Sequence, residues 1–86
     1  MKRYYINGKQ YVPEKSAMLC SSAGIMGKST LYRTQKGAYF LVGESDTEGK
    51  WAKVITEDAA FSYMNENAAG INADNYDAVF GQPEEG

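Results

Sequence analysis

The stretch Gly24-Ile25-Met26-Gly27-Lys28-Ser29-Thr30 closes on glycine, lysine and a hydroxyl residue, as a phosphate-binding loop does. In such a loop the glycines let backbone amides close on the phosphates, the lysine meets their charge, and a buried strand is joined to a helix N-terminus. The full pattern, G-x-x-x-x-G-K-[ST], requires glycine at position 22, where this chain has Ser22, and Thr30 opens a β-prone run rather than a helix. The stretch therefore reads as a glycine loop carrying a solvated lysine. Cys20 is the only cysteine and there is no histidine. A thiolate–imidazole pair, an internal disulfide and the usual Cys/His zinc spacings are all excluded, and Cys20 is expected to be a small buried apolar residue. Glu44, Asp46 and Glu48 alternate like part of a calcium loop, but the twelve-residue spacing and closing glutamate are missing. General acid/base catalysis needs carboxylates fixed in a cleft, and acids strewn over a loop and short helices do not supply that. We expect no catalytic residue, no metal ligand and no cofactor; the chain reads as a non-enzyme.

Two sets of residues remain, both suited to binding. Residues 1–42 carry Lys2, Arg3, Lys9, Lys15, Lys28, Arg33 and Lys36 against Glu14 alone, a net of +6, whereas residues 43–86 carry Lys50 and Lys53 against ten acids, a net of −8. The acids Glu44, Asp46, Glu48, Glu57 and Asp58 form a candidate face for a basic protein surface. The basic and aromatic residues Arg3, Tyr5, Lys9, Arg33 and Lys36, interleaved on strands, form a candidate face for single-stranded nucleic acid. No RNA- or DNA-binding signature accompanies the second set, and the net charge of −2 opposes strong nonspecific phosphate binding, which places it second.

The elements that must hold these residues are legible in part. "RYYINGKQYV" places Asn7-Gly8 between β-prone runs, the signal for a two-residue type I′ hairpin in which Ile6 faces Lys9, Tyr5 faces Gln10, Tyr4 faces Tyr11 and Arg3 faces Val12. Alternation then puts Tyr4, Ile6 and Tyr11 on the core face, with Arg3, Tyr5, Gln10 and Val12 on the other. Residues 13–29 hold a proline, two glycines and four serines, and read as an irregular connection whose one apolar piece, Ala17 to Cys20, is a strand or a helical turn. "TLYRTQKGAYFLVG" is a second hairpin, with Gln35 to Gly37 as a three-residue loop and Gly37 in its left-handed position, so Tyr32 faces Phe40, Leu31 faces Leu41 and Arg33 faces Tyr39. Both of its faces carry apolar residues. Helices are expected on one side and part of the N-terminal segment on the other, with the Arg33 and Tyr39 end left toward water.

"GESDTEG", 43–49, reads as a polar loop and "KWAKVI" as a third strand, Trp51, Lys53 and Ile55 lying opposite Ala52 and Val54. Thr56 caps a helix whose first turn holds Glu57 and Asp58 against the positive end of its dipole. Ala60, Phe61, Met64 and Ala68 mark the helix's apolar side, and Gly70 reads as its left-handed cap. Asn72 caps a second short helix that buries Tyr76, Val79 and Phe80 and stops at Gly81. With 86 residues, the chain is expected to form one domain over 1–86 with a frayed tail at 83–86. The fold class is α+β: an antiparallel sheet from two hairpins and a third strand, packed by two short C-terminal helices. No apolar run approaches the roughly 20 residues that span a bilayer, so no membrane partner and a cytoplasmic location are expected.

"YYINGKQYV", "TLYRTQKGAYFLVGE", "KVITEDAAFSYMNEN" and "NYDAVFG" together resemble a family of short, acidic, mostly uncharacterised proteins of phages and other mobile elements in gut-type Gram-positive bacteria. That family is similar in a "YINGK-Y" hairpin, a "LYRT-G-YFL-GE" hairpin, and a C-terminal "LS-EEA" helix followed by "EYE-IFG". The likeness covers most of the chain, with interruptions at 16–29 and 44–50, and "VITEDAAFSYM" lacks the proline and tryptophan of the family's helix region. It implies a source and carries over no catalytic residue. Small cytoplasmic proteins of such elements often bind and block host machinery. The resemblance therefore implies a host protein as partner and an inhibitor as function, an anti-CRISPR that covers a nucleic-acid surface of a CRISPR effector being one form, with the five acids as contacts. A nucleic-acid module and an accessory protein that oligomerises through an exposed strand edge are the alternatives.

Overall fold

The computed structural model describes residues 2–81, so the tail expected at 83–86 lies outside the described residues. The fold is α+β. Strands β1 (Tyr4–Ile6) and β2 (Lys9–Tyr11) form an N-terminal hairpin, followed by a short 3-10 turn at Pro13–Lys15. Strands β3 (Ala17–Gly24), β4 (Gly27–Arg33), β5 (Tyr39–Ser45) and β6 (Gly49–Ile55) form an antiparallel meander in that order. Helices α1 (Glu57–Glu66) and α2 (Ala73–Phe80) complete the chain, with a 3-10 turn at Ala68–Gly70 between them.

Both predicted hairpin registers are observed, except that the expected Arg3–Val12 pair lies beyond the strands and does not form. Tyr4 pairs with Tyr11, Tyr5 with Gln10 and Ile6 with Lys9, and Asn7 (φ 51°) and Gly8 (φ 76°) take the left-handed conformations of a type I′ turn. Leu31 pairs with Leu41, Tyr32 with Phe40 and Arg33 with Tyr39 around a loop in which Gly37 has φ 90°. Val12, however, is buried rather than on the outer face, because the chain leaves the hairpin at Tyr11 and turns inward at Pro13.

Residues 13–29 depart from expectation in part: Ala17 to Cys20 is a strand, one of its two expected forms, but the strand runs on to Gly24 where a loop was expected. Most of them form a strand, β3, and the first part of β4, joined by a tight turn at Ile25-Met26. Small residues conceal that strand in the sequence, yet they give it room at the sheet edge. A bulge between Met18 and Cys20 places both Leu19 and Cys20 in the core, which strict alternation would not do. The predicted loop at 43–49 shrinks to Asp46–Glu48, because β5 and β6 extend to Ser45 and Gly49.

One face of the meander carries Cys20, Leu31 and Leu41 under Ala60 and Met64 of α1, with Phe61, Tyr76, Val79 and Phe80 packed around them. The other carries Tyr32 stacked on Phe40 at 5.2 Å, and Tyr11 of the N-terminal hairpin meets Phe40 at 5.4 Å. Helices on one side and the N-terminal segment on the other is the predicted layering. Tyr39, expected near water, is only 3% exposed, because its strand neighbour Ile55 and the core around Leu41 close over that end.

The β3 edge is closed by the segment between the helices. Cys20 bridges to Ile71, Asn72 N–H donates to the Leu19 carbonyl at 2.9 Å, and Asn75 Nδ2 donates to the Met18 carbonyl at 2.9 Å. Gly70 is therefore not the left-handed cap it was expected to be. The helix ends at Glu66 with Asn67 as its cap, and Gly70 lies so close to β3 that a Cβ there would sit 1.8 Å from the Ser21 carbonyl oxygen.

Candidate functional site

The phosphate-loop-like residues lie in a strand. Gly27, Lys28 and Ser29 open β4 and pair with β3 and β5, so their amides belong to the sheet and face no helix N-terminus. Ser29 Oγ lies 2.8 Å from the Tyr63 hydroxyl, which also donates to the Ser29 carbonyl at 3.2 Å. That contact pins α1 to the sheet. Burial raises the Tyr63 phenol above its usual range, against the opposing effect of the Ser29 hydrogen bond, and the residue has no signal in the sequence beyond one more tyrosine. Cys20 is fully buried, as expected; its Sγ approaches the Asn67 carbonyl at 3.3 Å, and burial pushes the thiol up, away from the thiolate that reactivity needs.

What emerges at this end of the sheet is an exposed apolar tip. The β3–β4 turn presents Ile25, 97% exposed, and Met26, 67% exposed. The adjoining β5–β6 turn is tied to it by the Asp46 N–H, which donates to the Met26 carbonyl at 3.3 Å, and is closed by the Glu48 N–H donating to Ser45 Oγ at 2.9 Å. A notch of about 250 Å³ lies beside the turn, bounded by Met26, Gly27, Ser45 and Trp51. An exposed apolar pair, a half-buried indole and the acids Asp46 and Glu48 thus share one end of the molecule. The sequence contained Ile25 and Met26 inside a motif with another meaning, which hid them.

The five predicted acids are not brought together. Glu44 lies on β5 between Lys28 and Lys50, its register partners on β4 and β6, and Lys28 Nζ is 3.8 Å from its carboxylate. Its charge is offset within the fold. Asp46 and Glu48 belong to the tip, whereas Glu57 and Asp58 open α1 at the far end of β6. The seven residues of β6 hold the two groups roughly 20 Å apart at the usual rise of a strand. Among the described residues no group of three or more His, Cys, Asp or Glu forms that could hold a metal ion, and no helix is long and apolar enough to cross a membrane.

The basic set is also divided. Lys9 and Lys36 come together with Lys15 around an open groove of about 570 Å³ between β2 and the β4–β5 turn. Lys15 was hidden in the segment read as irregular. Arg33 stands on the opposite face of the sheet, paired with Tyr39, its guanidinium 5.8 Å from the Tyr39 ring centre. Its Nε and the Tyr39 hydroxyl are buried without a hydrogen-bond partner among the described residues. Tyr5 is 72% exposed on the outer face of the hairpin, and Arg3 is exposed beside it.

No protein-family model, curated protein or solved structure matches the chain.

Proposed function

We propose that this chain is a small inhibitory binding protein that docks on a host protein through the Ile25–Met26 turn, in the manner that its resemblance to proteins of phages and mobile elements implies. The supporting observation is the turn itself: two large apolar side chains held out in water on a hairpin whose neighbour is hydrogen-bonded to it. A braced apolar projection loses little conformational freedom when it enters a pocket, and such central anchors carry most of the energy of protein interfaces. Asp46 and Glu48 beside it favour a basic rim on the partner. A surface that binds nucleic acid is basic, so a nucleic-acid groove of a CRISPR effector is a partner of the right chemistry, and occupying it would make the chain an anti-CRISPR. Glu57 and Asp58 have no part in this contact.

The test is affinity capture from host lysate with the native chain and with Ile25→Ser/Met26→Ser, both quantified by mass spectrometry, followed by binding measurements on the captured protein. The double variant is expected to bind at least about tenfold more weakly. Asp46→Lys/Glu48→Lys should slow association and flatten its dependence on salt, and Glu57→Lys/Asp58→Lys should do neither. A captured partner held equally well by the serine variant would refute docking through the turn.

A further inference from the structure

The groove at the other end of the sheet is independent of the docking tip and carries a different chemistry. Three lysines from three segments line it: Lys9 on β2, Lys15 on the 3-10 turn and Lys36 on the β4–β5 turn. No acid is among its lining residues. The ion pair among the described residues is Lys28 with Glu44, and no described carboxylate lies within ion-pair distance of the three groove lysines. Three lysines around one concavity make its potential positive, which favours an anion there.

The walls are already braced without using the lysines. Ser16 Oγ donates to the Val12 carbonyl at 2.9 Å, and Thr34 Oγ1 accepts the Ala38 N–H at 3.0 Å while Thr34 N–H donates to the Ala38 carbonyl at 2.8 Å. Buried Tyr11 and Val12 line the groove together with Ala38, and Gln35 on the β4–β5 turn stands among its other lining residues. At about 570 Å³ the groove is within the size range of small-ligand sites.

We propose that this groove binds a nucleotide, its phosphate held by Lys9, Lys15 and Lys36 and its base against the apolar lining at Val12 and Ala38, beside Gln35. The nucleotide is free or is one residue of a single strand. Lysine as a point charge suits a phosphate, whereas a carboxylate peptide is better held by the forked donors of arginine, and the one arginine of the β4–β5 hairpin, Arg33, lies on the opposite face. Glutamine offers a donor and an acceptor side by side, which matches a base edge.

Fluorescence anisotropy with labelled oligothymidylate at low ionic strength, and competition by ATP, inorganic phosphate and polyglutamate, tests this. Lys9→Gln/Lys15→Gln/Lys36→Gln is expected to weaken oligothymidylate binding about tenfold or more and to reduce the slope of log affinity against log salt by about 2, close to three single-strand phosphate contacts. Lys28→Gln/Lys50→Gln/Lys53→Gln removes the same charge and is expected to change binding by about twofold or less. All three groove lysines are exposed, so the fold should survive, and the single variant Lys36→Gln gives a second measure at smaller amplitude. A strand that binds much more tightly than ATP assigns the site to nucleic acid, and equal affinity assigns it to the free nucleotide. Absence of binding by both, equal weakening in the two triple variants, or polyglutamate competing as well as ATP would overturn the proposal.

Discussion

The molecule contains two hairpins with two-residue turns, and they solve the same geometric problem in opposite ways. At Asn7-Gly8 both residues have positive φ, the backbone of a type I′ turn whose twist matches the strands it joins, and the side chains are those that tolerate that backbone. At Ile25-Met26, between the paired Gly24 and Gly27, neither residue has positive φ, so the turn is not of a primed type and its twist opposes that of the strands. Gly27, at φ 154°, takes up the difference. The first turn has the residues that folding asks for. The second has residues that turn formation does not favour, left in water in a chain whose core is modest. Apolar bulk at that position makes little contact within the fold, and it is the feature that the docking proposed above would use.

The largest expected effect comes from removing the conformational slack that the second turn depends on. A Cβ on Gly27 would sit 2.3 Å from the Glu44 carbonyl oxygen, which is backbone and cannot swing away, and the positive φ adds strain. Gly27→Ala should therefore lower stability in urea unfolding by about 3 kcal/mol or more. Gly24→Ala, on the other side of the same turn, meets nothing nearer than the Gly27 carbonyl at 3.9 Å and should stay within about 0.5 kcal/mol of the native chain. Similar losses at the two positions would show that the turn does not lean on Gly27.

In the first turn the cost is smaller, because the strain there is conformational without a clash. Nothing lies within 4 Å of a Cβ built on Gly8, so Gly8→Ala meets only the penalty of its φ of 76°, about 1–2 kcal/mol by the same unfolding measurement. A loss as large as that of Gly27→Ala would mean the N-terminal hairpin is held more tightly than its contacts through Tyr11 and Phe40 account for.

The contrast between these turns also explains what the sequence could disclose. Asn7-Gly8 and Gly37 each announce a turn of known geometry, and from such a turn the register of both strands follows by counting, which is why Tyr4, Tyr32 and Leu31 were placed against their observed partners. Thr56 and Asn72 announce their helices equally locally, and each accepts the expected amide, from Ala59 and from Asn75. Strand β3 announces only its first half, Ala17 to Cys20, and that only as one of two alternatives. Its serines, alanine and glycine look like a loop, and what makes it a strand is distant: pairing with β4 and a second backbone, Gly70 to Asn72, laid along its edge. Gly70 was misread for the same reason, since close approach and left-handed capping call for the same residue. The candidate sites suffered equally. Five acids near one another in sequence are parted by the length of β6, and the groove needed Lys15, whose segment carried no pattern.

A small stability effect of opposite sign makes the sharpest test of the comparison. Replacing Ile25-Met26 by Asn-Gly installs the chemistry of the first turn in the place of the second while keeping the Gly24–Gly27 pair that closes it. If the native residues serve the fold, the swap should destabilise the chain. If they serve a partner, the swap relieves a twist mismatch and removes exposed apolar surface, so the denaturation midpoint should rise by the equivalent of about 0.5–1 kcal/mol, while binding to the captured host protein falls as far as in the serine variant. Stability and binding would then move in opposite directions at one site. A more stable chain that still binds would detach Ile25 and Met26 from the interface, and a chain destabilised by more than about 1 kcal/mol would show that the apolar turn is fitted to its own sheet after all.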